Sequence, residues 1–216
     1  MQHKFSHWVF DLDGTLIDSA NHYEKCLHEI LADFQIIPTT EEIQRGYKYF
    51  NPEEYFATFF TDLAKIQYSV KKLVQLNIDH ADQVPAFDGI EEILRYLHAK
   101  NIRMSVWTGR ELTSAQKILQ STRLSQYMQT CVGRTCVEKN KPYPDGLLKI
   151  LTDFKHHSDE VVMVGDHEYD MQGARAAKVR GVSVNWQGHP HSTAHQISDL
   201  HFDRIPDMLN WVRTLY

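Results

Sequence analysis

Phe10-Asp11-Leu12-Asp13-Gly14-Thr15-Leu16, directly after the apolar run Trp8-Val9-Phe10, is the stretch around which the chain is organised. In an extended segment alternate side chains share a face, so Asp11 and Asp13 point one way and Leu12 the other. The run before them is continuously apolar rather than alternating, the pattern of a strand buried on both faces. Gly14 permits a sharp or positive-φ turn, and the chain leaves the carboxyl end of that strand. Two carboxylates at the mouth of a buried strand are costly unless something cationic lies between them. That cost marks a site.

Beyond this stretch the texture is helical. Tyr23, Leu27, Ile30, Leu31 and Phe34 recur at helical spacing over 20–34. Thr39-Thr40-Glu41-Glu42 supplies a cap signal for a second helix ending near Gly46, and Pro52-Glu53-Glu54 opens a third. A fourth is expected over 70–77, from Leu73, Val74 and Leu76. From Phe87 the pattern changes to alternation. Strands are expected at 102–107, 130–132, 161–164 and 181–184, with helices over 90–100, 112–120, from Pro144, over 168–177 and over 205–215. Alternating strands and helices call for an α/β fold, a doubly wound, Rossmann-like parallel sheet covered on both faces. The expected division is a core of 1–17 and 85–216, with 18–84 as an all-helical insert. Trp8 and Trp107 are read as core residues without a functional part, and Tyr55, Phe56, Phe59 and Phe60 as the insert's own core.

Composition excludes several classes of function. With 216 residues and 42% hydrophobic content, the chain can bury a full core. A net charge of −5 argues against a nucleic-acid or membrane-surface binder, which needs a basic face. No apolar stretch approaches the ~18 residues of a membrane span, and Met1 to His7 does not look like a secretory signal. The three cysteines, Cys26, Cys131 and Cys136, show no CxxC spacing and read as ordinary thiols of a cytoplasmic protein. His189-Pro190-His191 and His195 read as surface residues rather than a zinc site.

Ligands of such sheets bind beyond the carboxyl ends of the strands. Four strand ends or following loops carry Asp11 and Asp13, Thr108, Lys141, and Asp166 with Asp170. Four carboxylates in one crevice repel, and one lysine offsets only part of that charge. A hard divalent cation relieves the remainder, and all-oxygen ligation favours magnesium, which keeps waters and leaves room for a phosphate. A calcium loop is the rival for Asp-x-Asp-Gly, but the later acidic positions of such a loop are missing after Gly14.

These segments resemble four motifs of the haloacid dehalogenase-like superfamily, in particular its phosphoglycolate-phosphatase-like members with a helical cap inserted after the first motif. They are Val9 to Leu16 (VFDLDGTL), Val106 to Arg110 (VWTGR), Lys141 to Asp145 (KPYPD) and Val164 to Asp170 (VGDHEYD). The resemblance implies that Asp11 is the nucleophile, forming an aspartyl-phosphate. It implies that Asp13 is the general acid, and then the base that activates water. Thr108 and Gly109 would bind phosphoryl oxygens, and Lys141 the phosphate and the nucleophile. Magnesium would be held by the Asp11 carboxylate, the Asp13 backbone carbonyl and Asp166, with Asp170 beside them. The insert would be a lid over the strand ends, and the loop around Gly46, with Arg45, Tyr47 and Lys48, would meet substrate.

The sequence departs from the family pattern at His167 and Lys178, and at Arg110, which is placed to pair with a second anionic group. The resulting expectation is a Mg²⁺-dependent phosphatase acting on a small phosphomonoester, phosphoglycolate-like or a sugar phosphate, as a monomer or homodimer. The alternatives are a phosphomutase, a phosphonate hydrolase using Lys48, and a non-catalytic binding protein on the same scaffold.

Overall fold

The computed structural model describes residues 5–46, 49, 51–188 and 193–216. Among them six strands form one all-parallel sheet. They are β1 (His7–Phe10), β2 (Arg103–Trp107), β3 (Thr130–Val132), β4 (Val161–Gly165), β5 (Arg180–Val184) and β6 (Leu200–Phe202), in the order β3-β2-β1-β4-β5-β6. β1 is central. Its Phe10 pairs in register with Val106 of β2 and Val164 of β4, so the chains that leave these three strands emerge side by side.

The helices α5 (Ile90–Ala99), α6 (Leu112–Ser121), α7 (Asp145–Phe154), α8 (Glu168–Ala176) and α9 (Ile205–Leu215) alternate with the strands. Strand periodicity sorts the two faces. Trp8 and Phe10 join one buried cluster with Leu94 of α5, Ile118 of α6 and Val212 of α9. Val9 faces the other way, into a cluster with Trp107, Leu147, Ile150, Met163 and Ala174. β1 is therefore covered on both sides, as its unbroken apolar run requires. α5 shows the helical counterpart, with Ile90, Ile93, Leu94 and Leu97 buried along a single stripe.

Between β1 and α5 the described residues contribute only helices: α1 (Ala20–Ala32), α2 (Thr40–Gly46), α3 (Pro52–Phe56) and α4 (Leu63–Asp79), then a 3₁₀ turn at Ala81–Gln83. Leu27, Ile30, Leu31, Ile43, Tyr55, Phe56, Phe60, Leu73 and Leu76 form a third buried cluster, drawn from these helices and the α3–α4 connection. α4 starts a full turn and more before the expected 70. Asp62 caps it by accepting from the Ala64 amide at 2.9 Å, and Ile66 supplies a further buried position. β6 has no counterpart among the expected strands. It is three residues long at the sheet edge and lacks a fully buried side chain, so no apolar run announces it.

Candidate active site

Strand order reverses at β1, the switch point at which open α/β sheets bind ligands. Asp11 leaves the end of β1, Thr108 the end of β2 and Asp166 the end of β4, while Lys141 lies in the turn before α7. Lys141 Nζ is 2.5 Å from Asp11 Oδ1 and 2.5 Å from Asp170 Oδ1. It also sits 4.7 Å from the centre of the Trp107 ring, within cation–π range. Asp11, Thr108, Lys141 and Asp170 are all buried. One carboxylate oxygen from each of Asp11, Asp166 and Asp170 falls within 4.8 Å of the others. Asp11, Lys141, Asp166 and Asp170, predicted from three separate segments, are thus one cluster.

Several supports of this cluster lay outside the sequence reading. Thr15 donates its hydroxyl to Asp166 Oδ1 at 3.0 Å, and the Thr15 carbonyl accepts from Trp186 Nε1 at 3.0 Å. Gly14, at φ +72°, lies so close to Asp166 that a Cβ there would overlap its carboxylate. Glycine is needed twice over, for the left-handed turn and for this approach. Trp107, read from sequence as core only, also floors the lysine. The available signal was its position, immediately before Thr108.

His167 opens α8 as its cap, with Nδ1 accepting from the Tyr169 amide at 3.1 Å. Its own amide donates to Asp170 Oδ2 at 3.0 Å, which fixes the Asp170 carboxylate toward Lys141. Lys178 takes a left-handed conformation just past the end of α8, where the helix terminates.

Asp13 does not join the carboxylate cluster through its side chain. Arg110 grips it through two bonds, Nε to Oδ2 at 2.7 Å and Nη2 to Oδ1 at 2.6 Å. The Arg110 amide in turn donates to Thr108 Oγ1 at 3.1 Å. Arg45 is half-buried in the last turn of α2, whereas Tyr47 and Lys48 lie outside the described residues, as do His189 and His191.

Electrostatics follow from this packing. Burial raises the Asp11 carboxyl to about 7. The Lys141 ammonium opposes that rise, and the charges of Asp170 and Asp13 add to it. Asp166 lies well above the usual carboxylate range, through burial and then the charges of Asp11 and Asp170. For Lys141 burial acts downward, but the two carboxylates outweigh it and keep the ammonium above its ordinary value. Burial also raises Asp13, yet the Arg110 charge and hydrogen bonds overcome it and leave the carboxyl below its usual value.

The cluster therefore has more carboxylate than one lysine neutralises, and an all-oxygen donor set of this kind fits a hard divalent cation. A cation binding here displaces protons from Asp11 and Asp166. Mg²⁺ affinity is accordingly expected to rise with pH from about 5.5 to 8, with net proton release. Calorimetry in buffers of different ionisation enthalpy reads both quantities. A pH-independent affinity would place the cation elsewhere.

The chain is similar in sequence and in fold to known proteins. A family model described as haloacid dehalogenase-like hydrolase matches residues 8–184. The Caldanaerobacter subterraneus subsp. tengcongensis protein provisionally assigned as pyrophosphatase PpaX is 32% identical over 188 residues, covering 82% of this chain and 80% of that one. Pyrophosphatase PpaX of Bacillus cereus is 24% identical over 204 residues, 93% of each chain. Among solved structures, a Lactobacillus plantarum protein provisionally assigned as a phosphoglycolate phosphatase superposes with TM-score 0.86 at 21% identity. It covers 99% of this chain and 100% of that one.

Proposed function

The chain belongs to the haloacid dehalogenase-like hydrolases, and from that premise we propose that it is a Mg²⁺-dependent phosphatase that cleaves small phosphomonoesters through Asp11. One observation carries the reading: Lys141 Nζ bridges Asp11 and Asp170 at 2.5 Å each, with Asp166 completing a carboxylate triad at the switch point of the sheet. The names of similar proteins, pyrophosphatase and phosphoglycolate phosphatase, point to the same chemistry at phosphorus.

In this reading an Asp11 oxygen attacks phosphorus and becomes an aspartyl-phosphate, as the leaving oxygen departs from the opposite side. Lys141 holds the nucleophile and takes up negative charge on the phosphoryl oxygens. Thr108, with the backbone around Gly109, binds a further phosphoryl oxygen. Asp13 is ionised while Arg110 holds it, so it serves as the acid at the leaving oxygen only once the substrate loosens that pair and brings it a proton; it then takes one from the water that hydrolyses the acyl-phosphate. The cation would be held by Asp11, Asp166 and the Asp13 backbone carbonyl, with Asp170 orienting Lys141 beside it. When bound it supplies charge neutralisation for the transferring phosphoryl group. The helices of 18–84 act as a lid that excludes water during transfer.

Phosphate release from a panel of phosphorylated metabolites, with and without Mg²⁺, tests the proposal. Asp166→Asn is expected to raise the Mg²⁺ concentration needed for half-maximal rate by ~10–100-fold. An unchanged metal titration would remove Asp166 from the ligand set. Isomerised product without free phosphate would identify a mutase, and loss of activity on borohydride trapping with substrate would identify a lysine-dependent phosphonate hydrolase.

A further inference from the structure

The helical insert is tied to the sheet by an ion pair that lies apart from the carboxylate cluster. Arg134 Nη2 donates to Glu53 Oε1 at 2.9 Å and to Glu53 Oε2 at 3.0 Å, across 81 residues. Glu53 sits in the first turn of α3, where Asn51 caps the helix by accepting from the Glu53 amide at 3.1 Å. Arg134 opens the 3₁₀ turn Arg134–Cys136, immediately after the edge strand β3. Each side chain therefore departs from a fixed piece of backbone, one in the insert and one in the core.

Other attachments of the insert lie along its two linkers. Ile17 bridges Ala86, and the Asp18 amide donates to the Pro85 carbonyl at 2.9 Å. The Ser121 hydroxyl of α6 donates to the Ala81 carbonyl at 2.8 Å, and α4 packs against α6. These contacts form a hinge about which the insert can turn. Arg134 is anchored elsewhere. Its amide donates to the Arg110 carbonyl at 2.7 Å, and the Thr108 amide donates to the Val132 carbonyl at 3.0 Å. Between them Gly133 lies so close to Arg110 and Leu112 that a Cβ there would overlap their backbone. The turn that bears Arg134 is thus packed onto the segment that carries Thr108 and Arg110. A helix of the insert drawn to Arg134 is drawn toward the strand ends.

We propose that Glu53 and Arg134 are positioning residues that hold the insert closed over the strand ends, the pair breaking when the lid turns away to admit substrate or release product. This rests on the reading of the insert as a lid. The contact has the chemistry of a reversible catch. The side chains of Arg134 and Glu53 are 24% and 42% exposed, so water takes over both charges when they part and neither is stranded. A buried pair would resist parting, because each charge would be left without a partner. A wetted pair shifts the closed-to-open ratio by roughly a few-fold, which lets a lid close and still let product go.

Hydrogen exchange of the full chain, read by mass spectrometry without substrate, reports lid opening independently of turnover. Glu53→Gln and Arg134→Gln are each expected to speed exchange ~3–10-fold in the two faces that the pair joins, α3 and the Arg134–Cys136 turn, while the melting temperature moves by less than ~2 °C. Exchanging the charges, Glu53→Arg with Arg134→Glu, is expected to bring both faces back to the wild-type rate. Salt at about 0.5 M should speed the wild type toward the single variants and leave those variants unchanged. In turnover the single variants should raise KM ~3–10-fold with kcat within ~2-fold, since bound substrate supplies the closing energy that the pair has lost. Unchanged exchange in both single variants would overturn the proposal while leaving the phosphatase standing. So would a charge-exchanged protein that does not recover, or a melting loss with faster exchange along the whole chain, the mark of a merely structural pair. Recovery of exchange by the exchanged charges, with no phosphate release from any substrate, would sustain the catch and sink the phosphatase instead.

Discussion

Asp11→Asn is expected to lower phosphate release by at least ~10³-fold while the protein stays folded. The substitution keeps the shape of the side chain and removes the charged oxygen that would attack phosphorus. Thr108 and Lys141 remain to bind the phosphoryl group, so substrate affinity should fall much less than turnover. The effect on stability should be small for two reasons. Lys141 retains its 2.5 Å pair with Asp170, and burial already raises the Asp11 carboxyl, so removing its charge also removes a desolvation cost. A steady-state assay with circular dichroism and thermal melting checks both halves. Residual turnover above about a tenth of wild type, with the amide shown intact by mass spectrometry, would refute the nucleophile and leave the cluster as a metal or anion site only.

The large features of the site were legible because they sit where strands end. An unbroken apolar run followed by polar residues is a strong local signal, and it announced Asp11, Thr108 and Asp166 without any knowledge of pairing. Lys141 was less direct. It precedes a helix rather than ending a strand, and only the Lys-Pro-Tyr-Pro-Asp pattern singled it out. What could not be read were relations between side chains. Nothing in the local pattern says that Arg110 closes on Asp13, 97 residues away, rather than reaching open solvent. Nothing says that Trp107 lies beneath Lys141, or that Thr15 steadies Asp166 across 151 residues. Such contacts depend on rotamers chosen by the assembled sheet. The missed edge strand β6 and the early start of α4 have humbler causes, a short exposed strand and a cap residue outweighed by apolar periodicity.

Lys141→Met is expected to cost both activity and stability, and the stability loss should depend on pH and on Mg²⁺. Methionine fills much of the same space but leaves Asp11, Asp166 and Asp170 facing one another in a buried cluster with no ammonium among them. Breaking a buried ion pair in this way costs ~3–5 kcal/mol when the remaining charge cannot escape. Here part of it can escape. The carboxyl groups take up protons when their counter-charge is gone, so their titration moves further upward from an already raised position. A carboxyl whose folded-state value is raised contributes stability that is present at low pH and lost as pH rises through that value. The melting temperature of Lys141→Met, relative to wild type and without Mg²⁺, should therefore drop more at pH 8 than at pH 5. Added Mg²⁺ should recover part of the difference at pH 8, because a divalent cation supplies the missing positive charge. Phosphate release should stay at least ~10³-fold down under all of these conditions, since metal does not replace the ammonium that holds the phosphoryl oxygens. An unchanged melting temperature at pH 8 without metal would mean that the triad does not depend on Lys141 for its charge balance.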